Sequence, residues 1–279
     1  MIDVLKDTAI DALKLIPFLF LTYLIMELLE HKASDKTEEA IKQSGKFGPL
    51  VGALLGIFPQ CGFSAVAANF YTAGIITKGT LIAIFLSTSD EMLPVLISEE
   101  TPIALILQIL TIKVVIGIAA GIIIDILINN KKKKNTDIHK ICEEEHCNCE
   151  ESGILKSSVK HTLQIFVYIL VISLVLNTII HLVGEERIAN LVVSSPILGT
   201  FIASAIGIIP NCASSIILTE LYLKEIITLG PMIAGLLVNS GIGILVLCKV
   251  NKNKKENVGI LGMLYFIGVL SGILIELIL

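Results

Sequence analysis

Phe58-Pro59-Gln60-Cys61-Gly62-Phe63-Ser64 sets a proline, a carboxamide and a thiol inside an otherwise apolar run, and Ile209-Pro210-Asn211-Cys212-Ala213-Ser214-Ser215 returns to the same order of residue types 151 positions later. With that offset held constant, Tyr71 falls on Tyr222, Thr77 on Thr228, Gly79 on Gly230, Ile82-Ala83 on Ile233-Ala234 and Ser89 on Ser240. Ungapped matches at one fixed spacing mark an internal duplication rather than a chance motif. The two turns are therefore read as a pair that faces across one binding site.

Of the 279 residues, 54% are hydrophobic and 16% charged, with a mean hydropathy of +0.85. Soluble domains carry roughly a quarter charged residues, so the composition places the chain in the lipid bilayer. The net charge of -4 lies in short loops and identifies no partner. No basic surface or finger spacing supports nucleic-acid binding. The first apolar run, 10–30, has acidic and basic residues mixed ahead of it and ends without a small-residue cleavage site, so it reads as a retained span and not a signal peptide. Six cysteines in no even framework argue against a disulfide scaffold.

About ten apolar segments can be marked out, near 10–30, 46–58, 61–77, 79–97, 102–128, 158–183, 194–209, 211–223, 225–248 and 257–279. In each half the short segments flank the Pro-amide-Cys turn, and each short pair is either a broken helix or a re-entrant hairpin. Irregular backbone at that depth is tolerated where protein or a polar cavity surrounds it. The lysines after span one (Lys32, Lys36, Lys42, Lys46), before span four (Lys78), after span five (Lys131 to Lys134) and before span ten (Lys249, Lys252, Lys254, Lys255) all lie on one side of a ten-span chain. The positive-inside rule makes that side cytoplasmic and puts both termini outside. Five spans per half is odd, so the halves have opposite orientation. The expected organisation is an all-helical integral membrane protein, with a first five-helix repeat over 1–128, a cytoplasmic Lys-rich and His/Cys-rich loop over 129–156, and a second, inverted repeat over 157–279.

Inverted repeats interrupted by Gly or Pro at matching places are the sequence signature of a secondary transporter with its site at the repeat interface. The expected substrate-binding residues are Pro59, Gln60, Cys61 and Ser64 from one turn, Pro210, Asn211, Cys212, Ser214 and Ser215 from the other, and Asn239 and Ser240, which fall opposite Thr88 and Ser89. If a helix begins just after each proline, Cys61 and Cys212 occupy its first turn, where free N–H groups favour an anion or thiolate. Asp90 and Glu91 sit midway along a span, where carboxylates are costly and usually functional. Lys113, near the middle of the next span, is their expected counter-ion, and one carboxylate is expected to cycle a proton. A plain buried ion pair is the competing reading. Residues 139–149 gather His139, Cys142, His146, Cys147 and Cys149 beside a lysine run. That donor set suits a soft or borderline metal at the cytoplasmic face, against the simpler reading of a solvated linker. Asp125, Glu276, Cys248 and His161 read as packing or interfacial residues.

The paired Phe-Pro-Gln-Cys-Gly-Phe-Ser and Ile-Pro-Asn-Cys-Ala-Ser-Ser turns, the Ser87-Thr88-Ser89-Asp90-Glu91 segment, the count of spans and the His/Cys-rich middle loop resemble the ten-helix heavy-metal exporters, a family also known as arsenic efflux permeases and as manganese transporters. The resemblance implies efflux of a metal or metalloid ion across the plasma membrane, with that ion and the bilayer as partners. Thiols suit trivalent arsenic or a soft metal, whereas Mn2+ prefers oxygen donors such as Asp90, Glu91, Gln60, Asn211 and Asn239. The first is favoured, with Mn2+ export as the alternative. No Walker-type lysine motif is present, so an ion gradient or the substrate's own gradient supplies the energy. No cofactor is expected. An intramembrane thiol oxidoreductase or serine hydrolase is the weaker alternative, since there is no Cys-x-x-Cys pair and no mid-span histidine base; a passive channel is a third. The sequence is silent on oligomeric state.

Overall fold

A computed structural model describes residues 10, 13, 16, 17, 19–21, 23, 24, 47–58, 61–89, 91–128, 154–183 and 196–278. Among these, all regular structure is helical: the described residues of the first apolar run are helical, followed by α1 (Gly48–Gly56), α2 (Cys61–Thr72), α3 (Lys78–Ser87), α4 (Met92–Ser98), α5 (Ile103–Ile128), α6 (Ile154–Val183), α7 (Pro196–Gly207), α8 (Cys212–Leu223), α9 (Leu229–Val238), α10 (Gly243–Val250) and α11 (Lys254–Ile278). Five stretches among the described residues are long and apolar enough to cross a membrane: 78–98, 103–128, 158–175, 229–250 and 254–278.

The duplication recurs in the helices. Cys61 and Cys212 open α2 and α8, Thr72 and Leu223 close them, Lys78 and Leu229 open α3 and α9, and Met92 and Gly243 open α4 and α10, each pair 151 residues apart. The turn after α2 passes through Gly74 at φ 73, and the same place after α8 is taken by Glu225 at φ 56. That left-handed conformation costs a side-chain-bearing residue about 1 kcal/mol or more, so the second copy keeps the turn at a cost glycine avoids in the first.

Lipid gives helices little hydrophobic reason to associate, so close packing of small residues supplies the contact energy. Gly48, Gly52 and Gly56 of α1 lie against Thr80, Ile84 and Ser87 of α3, while Gly117 and Gly121 of α5 lie against Ala83 and Gly79. In the second half, Gly268 and Gly272 of α11 meet Ala234 and Gly230 in the same way. The first register rises along both helices, so α1 and α3 point in one direction. Because only 73–77 join α2 to α3, α2 must bring the chain back: α1 and α2 are the arms of a helical hairpin whose tip includes Ile57 and Phe58. The Phe58 and Phe63 rings stack across that tip with centroids 5.6 Å apart.

One expectation changes. The stretches 79–97 and 225–248, read from sequence as uninterrupted spans, are each broken at the middle, α3 giving way to α4 at 88–91 and α9 to α10 at 239–242. They are far more buried than the other three long stretches, 71% and 94% against 22–28%, as suits the centre of a bundle rather than its lipid-facing rim, which lets hydroxyls and a carboxamide replace helical hydrogen bonds there. The halves also interlock. Besides packing within its own half, α2 lies along α10 of the other, and α8 touches α4 in return. Gly243 makes the first of these contacts possible, since a methyl carbon on it would fall 2.7 Å from Ser64 Cβ and 2.9 Å from the Ser64 carbonyl oxygen.

Candidate metal-transport site

By the same offset α7 and α8 are the counterparts of the α1 and α2 hairpin arms, and hydrogen bonds join the tip between them to the break in the second half's buried span. Asn211 caps α8, its Oδ1 accepting from the Ser214 amide at 3.1 Å, as short polar side chains do at helix starts. The Ser214 hydroxyl turns back to the carbonyls of Ile209 (3.3 Å) and Asn211 (3.0 Å). Asn239, the residue on which α9 ends, donates from Nδ2 to Ser214 Oγ at 3.2 Å and to the Asn211 carbonyl at 3.5 Å, and accepts the Gly241 amide at 2.9 Å. A single buried carboxamide thus ties the tip of the hairpin to the point where the span breaks. Ser215 and Ser240 are buried beside it.

In the first half, Ser64, Ser87, Thr88 and Ser89 are buried, and the end of α3 is softened by its own hydroxyls. Ser87 and Thr88 donate to carbonyls one turn back, and Ser89 to Ser87. Lys113, 1% exposed, reaches in from α5. Its ammonium donates to the carbonyl of Thr88, which ends α3, and at 3.0 Å to that of Leu236, in the last turn of α9. The C-terminal ends of both half-helices, one from each half of the chain, therefore meet at one cation, the charge sign that helix C-termini favour. Glu91 begins α4, partly buried. Pro59, Gln60, Asp90, His139, Cys142, His146, Cys147 and Cys149 lie outside the described residues, as do the side chains of Cys61 and Cys212, whose backbones are the first helical residues of α2 and α8.

A family model described as "Putative, 10TM heavy-metal exporter" matches residues 1–187. The chain belongs to that family. Neither the curated proteins nor the solved structures yield a match.

Two features of this exporter-family chain were not read from its sequence. Asp125 and Glu276, expected to be interfacial, hold the starts of α3 and α9: Asp125 accepts from the Thr77 hydroxyl (2.6 Å) and the Gly79 amide (2.9 Å), and Glu276 accepts from Thr228 (2.7 Å). The offset that pairs Thr77 with Thr228 also pairs Asp125 with Glu276, and that coincidence was the available signal. The second is a cluster joining the halves at the end of the bundle where α3 and α11 begin. Glu256 accepts from Tyr71 at 2.6 Å, pairs with Lys78 at 3.0 Å and takes Asn251 Nδ2 at 3.4 Å. Its repeat counterparts are Leu105, Tyr222 and Leu229, which carry no charge. Glu256→Gln is expected to lower stability by about 1–2 kcal/mol, as loss of a partly buried charged hydrogen-bond partner does, while Glu220→Gln, in the exposed Lys224–Glu220 pair, is expected to be near neutral. Thermal melts of the two variants in detergent check this, and equal effects would show that the cluster does not hold the halves.

Proposed function

We propose that this chain exports a thiophilic heavy metal or metalloid, arsenite-like in its chemistry, by secondary alternating access, with the two hairpins entering the bilayer from opposite faces. The observation that carries the reading is the meeting of the α3 and α9 C-terminal ends at Lys113, because two broken helices, one from each half of the chain, that stop at one internal point are how a repeat transporter builds its site at the repeat interface. The direction of the halves is supported by the Lys78–Glu256 pair. It sets the start of α3 beside the start of α11, the end of the bundle at which α10 finishes, so the two broken spans run oppositely. Arm length supports the hairpins as re-entrant: α1, with 9 residues, is about 13.5 Å long, near half of the roughly 30 Å hydrocarbon core. Each half then crosses three times, again an odd number, and lysine placement keeps the 129–156 loop cytoplasmic and the termini outside.

Substrate choice follows the donors. Cys61 and Cys212 open helices beside the two tips, where thiolates are favoured and soft ions bind best. Pro59, Gln60 and Pro210 shape the tips, while Ser64, Asn211, Ser214, Ser215, Asn239 and Ser240 supply polar lining. Asp90 and Glu91 provide the acid for coupling to an ion gradient. The loop residues His139, Cys142, His146, Cys147 and Cys149 act as a separate cytoplasmic metal-binding segment. Mn2+ export is the second reading, favoured by the oxygen-bearing side chains buried at the tip and break of the second half.

Uptake of arsenite, Cd2+, Zn2+ and Mn2+ into inside-out proteoliposomes against a concentration gradient tests both. Arsenite and Cd2+ flux is expected to fall by about tenfold or more in Cys61→Ser and Cys212→Ser. Loss on Asp90→Asn with the thiol variants unaffected would transfer the assignment to Mn2+. Flux only down a gradient would make the protein a channel, and flux of no ion would end the transport reading.

A further inference from the structure

We infer that Lys113 is a tethered cation occupying a small monovalent-cation site built by both halves, whose ligands are the carbonyls that end α3 and α9. The inference rests on the exporter reading for its role in transport but not for its existence. Lys113 lies about 15 Å along α5 from Ile103, near the middle of the span, too deep for its stem to carry the ammonium to water. A charge at that depth is costly unless its environment replaces hydration. Here the replacement includes the Thr88 and Leu236 carbonyls, each at the end of a half-helix that carries about half a negative charge.

Such a site is the kind that secondary transporters fill with a coupling cation. In this chain the position is taken by a group that cannot leave. The repeat itself points the same way: the counterpart of Lys113 is Leu264, buried in α11, so the duplication supplied two helix ends but only one cation, as a single shared site requires. Lys113 is thus a positioning residue. It holds the two half-helix ends together at a fixed charge, and removes the need for an external ion in that place.

Lys113→Ala leaves a cavity shaped for the lost side chain and its charge, and n-butylammonium is the matching probe. Purified Lys113→Ala is expected to melt below the parent and to recover about 3–5 °C as butylammonium saturates the site, with the parent unmoved and neutral n-butanol inactive at the same concentration. Metal flux lost in the variant should return with the amine. Lys113→Met, which fills the space without charge, should stay impaired in the presence of amine. Recovery with butanol, full activity of Lys113→Met, or no recovery with the amine would each overturn the inference. So would Lys113→Ala that cannot be purified folded with butylammonium present throughout. If the parent carries no metal while the amine-specific melting shift stands, the transport reading fails and the cation site remains.

Discussion

Gly207→Ala is expected to destabilise the folded protein by about 3 kcal/mol or more, as overpacking against a rigid neighbour does. A methyl carbon on Gly207 would sit 2.2 Å from the Gly235 carbonyl oxygen and 3.1 Å from its carbon. These are backbone atoms inside α9, so no side-chain rotation relieves the clash and α7 must lift from α9. The same argument applies to Gly79, where the added carbon would meet the Gly121 carbonyl oxygen at 2.1 Å. Gly259 and Gly262, with nothing within 4 Å, are the controls, and alanine there should be neutral or slightly stabilising through helix propensity. Melting curves and the yield of monodisperse protein in detergent decide it. A Gly207→Ala variant that melts with the parent would mean that α7 and α9 are not in this contact.

Asn239→Leu should have an effect of similar size on stability, about 2–4 kcal/mol, and should abolish metal flux. Leucine is close in volume, so the loss is one of hydrogen bonds. The Gly241 amide loses its acceptor and Ser214 Oγ a donor, both in a buried place where unsatisfied groups cost about 1–3 kcal/mol each. Gly241 sits at φ 54, so the break depends on a turn that the carboxamide holds in shape. Asn239→Gln keeps the amide but displaces it, and should recover stability better than flux. Full flux in Asn239→Leu would remove the broken span from the transport path.

Much of this architecture could be read from the chain before any coordinates. The constant offset between Cys61 and Cys212 marked the helix starts, because a duplicated sequence with Pro before a polar residue and small residues after it repeats the same helix-start chemistry. The breaks at 88–91 and 239–242 could not be read in that way. Ser87, Thr88 and Ser89 are tolerable inside a helix when their hydroxyls bond back to the preceding turn, and Ser87 and Thr88 do so; nothing in the residue types says that the helix then stops. Lys113 was legible as functional from its depth, but its contacts with the ends of α3 and α9 depend on three-dimensional placement. Asn211 looked available to a substrate, yet its side-chain oxygen is the cap of α8. Local capping uses the same atoms as ligand binding, and sequence does not separate them.

The hairpin of α1 and α2 carries a consequence for biosynthesis. Each arm is too short to be recognised by itself as a spanning segment, and the groove that receives α1 is formed by α3 and α5, which leave the ribosome later. The partner of α2 comes later still, since Gly243 of α10 must arrive before Ser64 has its neighbour. Order of synthesis and order of assembly therefore diverge. The hairpin that includes Phe58 reaches its final packing only after the second copy of its own sequence has been made.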